Sequence, residues 1–236
     1  MRLRSPMALV GIAALGGMML AATPAWGATS KAKSLVAKAI AASESAHSVR
    51  VSGTVSQGTE TITLNVRATN NAKGQGSIGI NGAVANVIRI GSRIYFSADK
   101  AFWTENGGAA AASLFDGKWV YTKATSSDGK SLAQFMDLSS LMHQVFGGDL
   151  ASTAFTLGQN TTVNGVAVET INGQDSTGAS SGTLYVARTG TPYVIELKGS
   201  GTTNGVGSLL FSGYNQSVNP VAPKHPINLD QLSQAG

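Results

Sequence analysis

The chain has 236 residues, a formal net charge of +5, no cysteine, and only 12% charged residues against 42% hydrophobic ones. The missing cysteines exclude disulfides, thiolate metal sites, cysteine nucleophiles and lipid attachment through a lipobox cysteine. The low charge, with no Lys/Arg cluster interleaved with aromatics, excludes a nucleic-acid footprint, and the hydrophobic share is enough for a core, which excludes a disordered chain.

Residues 1–27 read as a secretory leader. Arg2 and Arg4 precede the apolar run 7–22, and Ala25-Trp26-Gly27 puts small residues at the −3 and −1 positions of a cleavage site before Ala28. Retention of the run as an anchor is the alternative; it is short for a span and no basic stop-transfer cluster follows it. Loss of Arg2 and Arg4 lowers the charge from +5 to +3. The remaining 28–236 fits a single domain, with an extended proline-rich tail over about 219–236.

A helix is expected over 34–46, where Leu35, Val36, Ala39 and Ile40 share a face. The period then changes from 3.6 to 2. Val49, Val51, Gly53 and Val55 alternate with Arg50, Ser52 and Thr54; after a turn at Gln57-Gly58, Ile62, Leu64, Val66 and Ala68 alternate with Thr61, Thr63, Asn65 and Arg67. This is an antiparallel hairpin with one apolar and one polar face. Further strands are expected over 74–80, 83–90 and 93–98, with Asn81-Gly82 a hairpin turn because both residues tolerate positive φ. Phe102-Trp103 reads as a short strand, 109–114 as a helical piece, and 118–121 as a strand.

Residues 131–147 form the clearest helical stretch: Leu132, Phe135 and Met136, then Leu138, Leu141, Met142, Val145 and Phe146, recur at helical spacing. Asp137, Ser139 or Ser140 can cap a second helix inside it, and Gly147-Gly148 should end it in the left-handed conformation. Strands resume at 155–157, 161–170, 183–187, 192–198 and 206–214, with a loop over 172–181 and a closing turn over 228–232. The sum is α+β, mostly β: a large curled antiparallel sheet, or half-barrel, around an N-terminal helix and a short helical plug.

The candidate lining of a hydrophobic site is Leu114, Phe115, Leu132, Phe135, Met136, Leu138, Leu141, Met142, Val145 and Phe146. Which of these face a cavity and which face closed core is left open, as it is for the aromatic group Phe102, Trp103, Phe115, Trp119 and Tyr121. Gly74 to Gly79 matches GxGxxG inside a strand, and Gly178 to Gly182 matches GxSxG before a strand; neither has the strand-to-helix context its chemistry needs. His47, His143 and His225 lie far apart in sequence and no carboxylate dyad is evident, so neither a metal, a cofactor nor an enzymatic activity is expected.

Several stretches together resemble a known family: 88–103 (IRIGSRIYFSADKAFW), 117–121 (GKWVY), the helical insert to Gly148, 189–199 (TGTPYVIELKG) and 211–223 (FSGYNQSVNPVAP). The resemblance is to the actinobacterial LppX/LprAFG lipoproteins and similar proteins with the LolA/LolB-like fold. It implies an antiparallel half-barrel whose helices close a hydrophobic cavity, and carriage or sensing of lipids outside the cytoplasmic membrane. The chain departs from that family in lacking the lipobox cysteine. The partner so implied is a lipid or another hydrophobic small molecule; a sensor that regulates a cell-envelope protein is the alternative.

Overall fold

Alternating side chains over 48–98 produce five consecutive antiparallel strands in the computed structural model, which describes residues 26–147, 153–176, 178, 180–201 and 205–232. They are β1 (Ser48–Gln57), β2 (Glu60–Thr69), β3 (Lys73–Ile80), β4 (Ala83–Ile90) and β5 (Arg93–Ala98). Val49, Val51, Leu64, Val66, Ile78, Ala85, Val87, Ile94 and Phe96 are buried on the inner face. The Asn81-Gly82 turn has φ of 50° and 91°, the double left-handed geometry its sequence favours.

The sheet curls where glycine lets neighbouring strands approach. Gly53 in β1 has φ +150°, and a Cβ there would stand 1.9 Å from the carbonyl oxygen of Ser208 on the adjacent strand. Gly76 in β3 repeats this, at φ +157° and 2.2 Å from the carbonyl oxygen of Asn65. A side chain at either position would push the strands apart, so glycine here is a requirement of curvature.

Helix α1 (Trp26–Glu44) starts earlier than the expected 34–46. Its sheet-facing stripe is Ala32, Val36, Ala39 and Ser43, so small residues let it lie close to the strands. The rest of the expected leader, residues 1–25, lies outside the described residues. Helix α2 (Lys100–Phe115) corrects two expectations: Phe102-Trp103 is helical, and the piece expected at 109–114 is the second half of one kinked helix. Asp99 decides the first by capping: its Oδ1 accepts from the Phe102 N–H at 2.8 Å. Gly108, at φ 77°, makes the kink.

After β6 (Val120–Lys123) the plug follows as α3 (Ser127–Ala133), a 3-10 turn (Gln134–Met136) and α4 (Leu138–Phe146). Asp137 caps α4, as the sequence allowed, by accepting from the Ser140 N–H at 2.9 Å. Gly147 ends α4 for a reason other than the one expected: its φ is −75°, not left-handed. A Cβ there would stand 2.2 Å from the His143 carbonyl oxygen, so glycine supplies room. Gly148 lies outside the described residues.

The second half contributes β7 (Ala154–Leu157), β8 (Thr161–Val163), β9 (Val166–Gln174), β10 (Ser180–Ala187), β11 (Val194–Gly201) and β12 (Val206–Ser212). The loop expected over 172–181 is shorter than that, because β9 and β10 extend into it. GxGxxG lies within β3, and Gly178 and Ser180 stand at the entry to β10, so neither motif opens a helix. The tail returns as β13 (Ile227–Asn228) and α5 (Leu229–Leu232), with β13 pairing in parallel with β6. Pairing of β1 with β12, Val51 opposite Phe211, joins the halves into one thirteen-stranded sheet of order β13-β6-β5-β4-β3-β2-β1-β12-β11-β10-β9-β7, with β8 on β9.

A buried polar latch holds α1 to the second half. Ser43 Oγ accepts from the Val194 N–H at 3.0 Å, and the Tyr214 hydroxyl donates to the Val194 carbonyl at 2.7 Å. The Tyr214 ring stacks on Tyr193 at 4.1 Å. Burial pushes the Tyr214 pKa above its ordinary value. A raised folded-state pKa means that the stabilisation is complete below the unfolded value, about 10, and is lost as pH rises past it. Tyr214→Phe should therefore cost about 1–2 kcal/mol at neutral pH and flatten the fall of Tm with pH above about 10, both read by thermal melts across alkaline buffers.

Candidate functional site

The plug is tied to the inner face at its middle. Arg89 points inward from β4; its Nη1 donates to the Ala133 carbonyl at 3.3 Å and pairs with Asp137 Oδ2 at 3.4 Å. The backbone of Asp137 also bridges Thr69 at the end of β2. Beneath them Gly74 leaves room for the chain of the plug: a Cβ there would stand 2.8 Å from Cβ of Met136.

The expected apolar side chains are buried in the core, with one exception. Met136, Leu138 and Met142 have no exposed surface and Leu141 has 1%, so these four belong to the closed core. Phe115, Leu132, Phe135, Val145 and Phe146 are buried with slightly more access, and Phe146 lies 5.8 Å from the ring of Phe211 on β12. Leu114 is the correction: 55% exposed, it lies on the outer side of α2, one residue out of phase with buried Phe115.

The aromatic group divides between the two faces. Trp103 sits at the centre of an inner cluster, 5.5 Å from Phe96, 5.6 Å from Phe102 and 5.0 Å from Phe115. Tyr121 belongs to the outer face, 5.7 Å from Tyr95 and under the Arg93 guanidinium. Trp119 lines a recess on that same face.

A further set of apolar residues emerges from strand register. Val55 stands opposite Ile62, and Ile62 opposite Ile80, as one row across β1, β2 and β3. These three share the inner-face phase of buried Val51, Leu64 and Ile78 and pack against the core, yet remain half-buried. The closed core thus grades without a polar break into a half-exposed apolar margin. Period-2 alternation assigned these residues to the inner face; it carries no information on how far along the strand the helices cover.

The three histidines lie on separate elements, and among the described residues no three His, Cys, Asp or Glu side chains gather within reach of one metal ion.

No family model matches the chain, and no curated protein matches its sequence. Solved structures do match. The Mycobacterium tuberculosis lipoprotein LppX superposes with a TM-score of 0.51 at 15% identity, over 80% of this chain and 98% of that one. LprF from Mycobacterium bovis gives 0.52 at 15% identity, over 82% and 97%. The chain has an LppX/LprF-like fold. The half-barrel expected from sequence and resemblance is thereby present. In this LppX/LprF-like framework the plug, the inner sheet face and the margin of Val55, Ile62 and Ile80 form one continuous apolar surface.

Proposed function

We propose that the protein binds a lipid or another hydrophobic ligand between plug and sheet and carries it outside the cytoplasmic membrane, without catalysing a reaction. The observation that carries this reading is the half-exposed row of Val55, Ile62 and Ile80, which leads from solvent to the core across three strands. Beyond that row the inner face runs through buried Leu64 and Ile78 toward the plug, where Arg89 is already paired with Asp137. Each buried methylene contributes about 0.8 kcal/mol, so a sixteen-carbon chain supplies on the order of 10 kcal/mol before ordering costs. Entry requires side chains to move aside. Met136 and Met142, unbranched and with several rotatable bonds, suit that repacking. The leader expected over 1–27 supports export, and among the described residues no helix is long and apolar enough to cross a membrane.

The test is native mass spectrometry of the secreted protein, organic extraction, and titration with a fluorescent fatty acid. Bound mass that extracts as lipid is the expected result. Ile62→Asp, at a half-exposed site that tolerates a carboxylate, should weaken fatty-acid binding about tenfold or more. A bare polypeptide mass with no fatty-acid uptake would remove the carrier reading and favour an interaction module.

A further inference from the structure

The outer face carries a second feature, independent of the apolar seam. Arg50 on β1 stands directly opposite Arg67 on β2, Arg67 opposite Gln75 on β3, and Gln75 opposite Ile88 on β4. In the adjacent row Asn65 stands opposite Ser77, and Ser77 opposite Asn86. Beside the half-buried Trp119 these rows border a shallow, open recess of about 510 Å³, whose lining includes Arg50, Asn65, Arg67, Gln75, Asn86 and Trp119.

Like charges directly opposite in a sheet destabilise it, and here no carboxylate relieves them: neither guanidinium forms an ion pair among the described residues. Their hydrogen bonds go to neutral amides. Arg50 Nε and Nη2 donate to Asn65 Oδ1 at 3.2 and 3.0 Å, and Arg67 Nη1 donates to Gln216 Oε1 at 3.4 Å. Each guanidinium has five N–H donors, so both keep donors free for an anion.

The other side of the recess has a different chemistry. Three amide side chains and a hydroxyl offer donors and acceptors in alternation, and an indole supplies an apolar wall. From β1 to β4 the strand spacing gives a length of about 14 Å. We propose that this recess binds a phosphorylated sugar, with the phosphate between Arg50 and Arg67, hydroxyls on Asn65, Gln75 and Asn86, and the ring against Trp119. A flat anionic membrane offers charge without the ring and hydroxyls that the remaining lining is suited to.

The shared chemistry of sugar and phosphate admits two sources, a soluble sugar phosphate or a phosphosugar lipid headgroup. The experiment titrates the mature protein with glucose 6-phosphate, glucose and inorganic phosphate, following tryptophan fluorescence and calorimetric heat. In parallel it measures co-sedimentation with vesicles of phosphatidylinositol and of phosphatidylglycerol. Support is saturable binding of glucose 6-phosphate, or preferential binding of phosphatidylinositol vesicles, that Arg50→Gln and Arg67→Gln each weaken about tenfold. Trp119→Phe should abolish most of the fluorescence change. The fluorescent fatty-acid affinity of the arginine variants should stay unchanged, so this site and the apolar seam stand or fall separately. The proposal is overturned by the absence of saturable glucose 6-phosphate binding together with no preference between the vesicle types, or by binding that the arginine substitutions leave intact.

Discussion

Replacing Trp103 by alanine should lower the stability of the folded domain by about 3–5 kcal/mol, the range for truncating a fully enclosed large aromatic. Trp103 has no exposed surface, and three aromatic rings surround it at 5.0 to 5.6 Å. Those rings come from β5 and from both halves of α2, so the cavity left behind opens at the contact that holds the kinked helix to the sheet. Close packing on all sides leaves little room for collapse, which places the cost high in the range. Trp103→Phe separates packing from hydrogen bonding. The indole N–H finds no acceptor among the described residues, so phenylalanine loses contact area but also removes a buried unsatisfied donor. Its cost should be about 1 kcal/mol. Urea unfolding followed by circular dichroism measures both. A loss below about 1 kcal/mol for the alanine variant would mean that α2 repacks and that this cluster does not anchor it.

The difference between what was legible and what was not follows the range of the interactions. The hairpin faces, the Asn81-Gly82 turn and the apolar stripe of the plug are local, and local periodicity sets them. Capping overrode propensity at Phe102 and Trp103: two aromatics favour a strand in isolation, but Asp99 directly before them starts a helix that continues through Asn106-Gly107-Gly108 with a kink. The pairing of β1 with β12 and of β13 with β6 joins distant segments, and neither leaves a local pattern. Register explains why the arginine pair leaves no mark in the sequence pattern. A two-residue turn at Gln57-Gly58 sets Arg50 opposite Asn65; the observed β1–β2 register sets it opposite Arg67. A slip of two residues keeps every side chain on its expected face, so the half-barrel could be read from alternation while the charge pairing could not. Depth along the strand was hidden in the same way, and with it the exposed margin at Val55, Ile62 and Ile80.

Asp137→Ala should cost about 3 kcal/mol and loosen the plug more than the sheet. The carboxylate does two jobs. It caps α4 through the Ser140 N–H and hydroxyl, at 2.9 and 2.8 Å, which is worth about 1 kcal/mol. It also neutralises Arg89, whose side chain is only 16% exposed, in a pair where Asp137 is 27% exposed. Without it the guanidinium faces the apolar interior with the Ala133 carbonyl as its remaining partner, and an uncompensated cation in such a place is costly. Arg89→Met removes the cation itself, so the double variant should be less destabilised than the two single losses added together, with a coupling of about 1–2 kcal/mol. Strict additivity would show that the pair does not hold the plug. The strands keep their own pairing in Asp137→Ala, so hydrogen exchange should quicken in residues 127–146 well before it does in β2 and β3. If ligand enters by displacing the plug from the sheet, the same variant should take up fluorescent fatty acid faster and release it faster, with affinity changing less than either rate. Unchanged rates alongside faster exchange would place the entry route at the Val55, Ile62 and Ile80 margin alone, with the plug as a fixed wall.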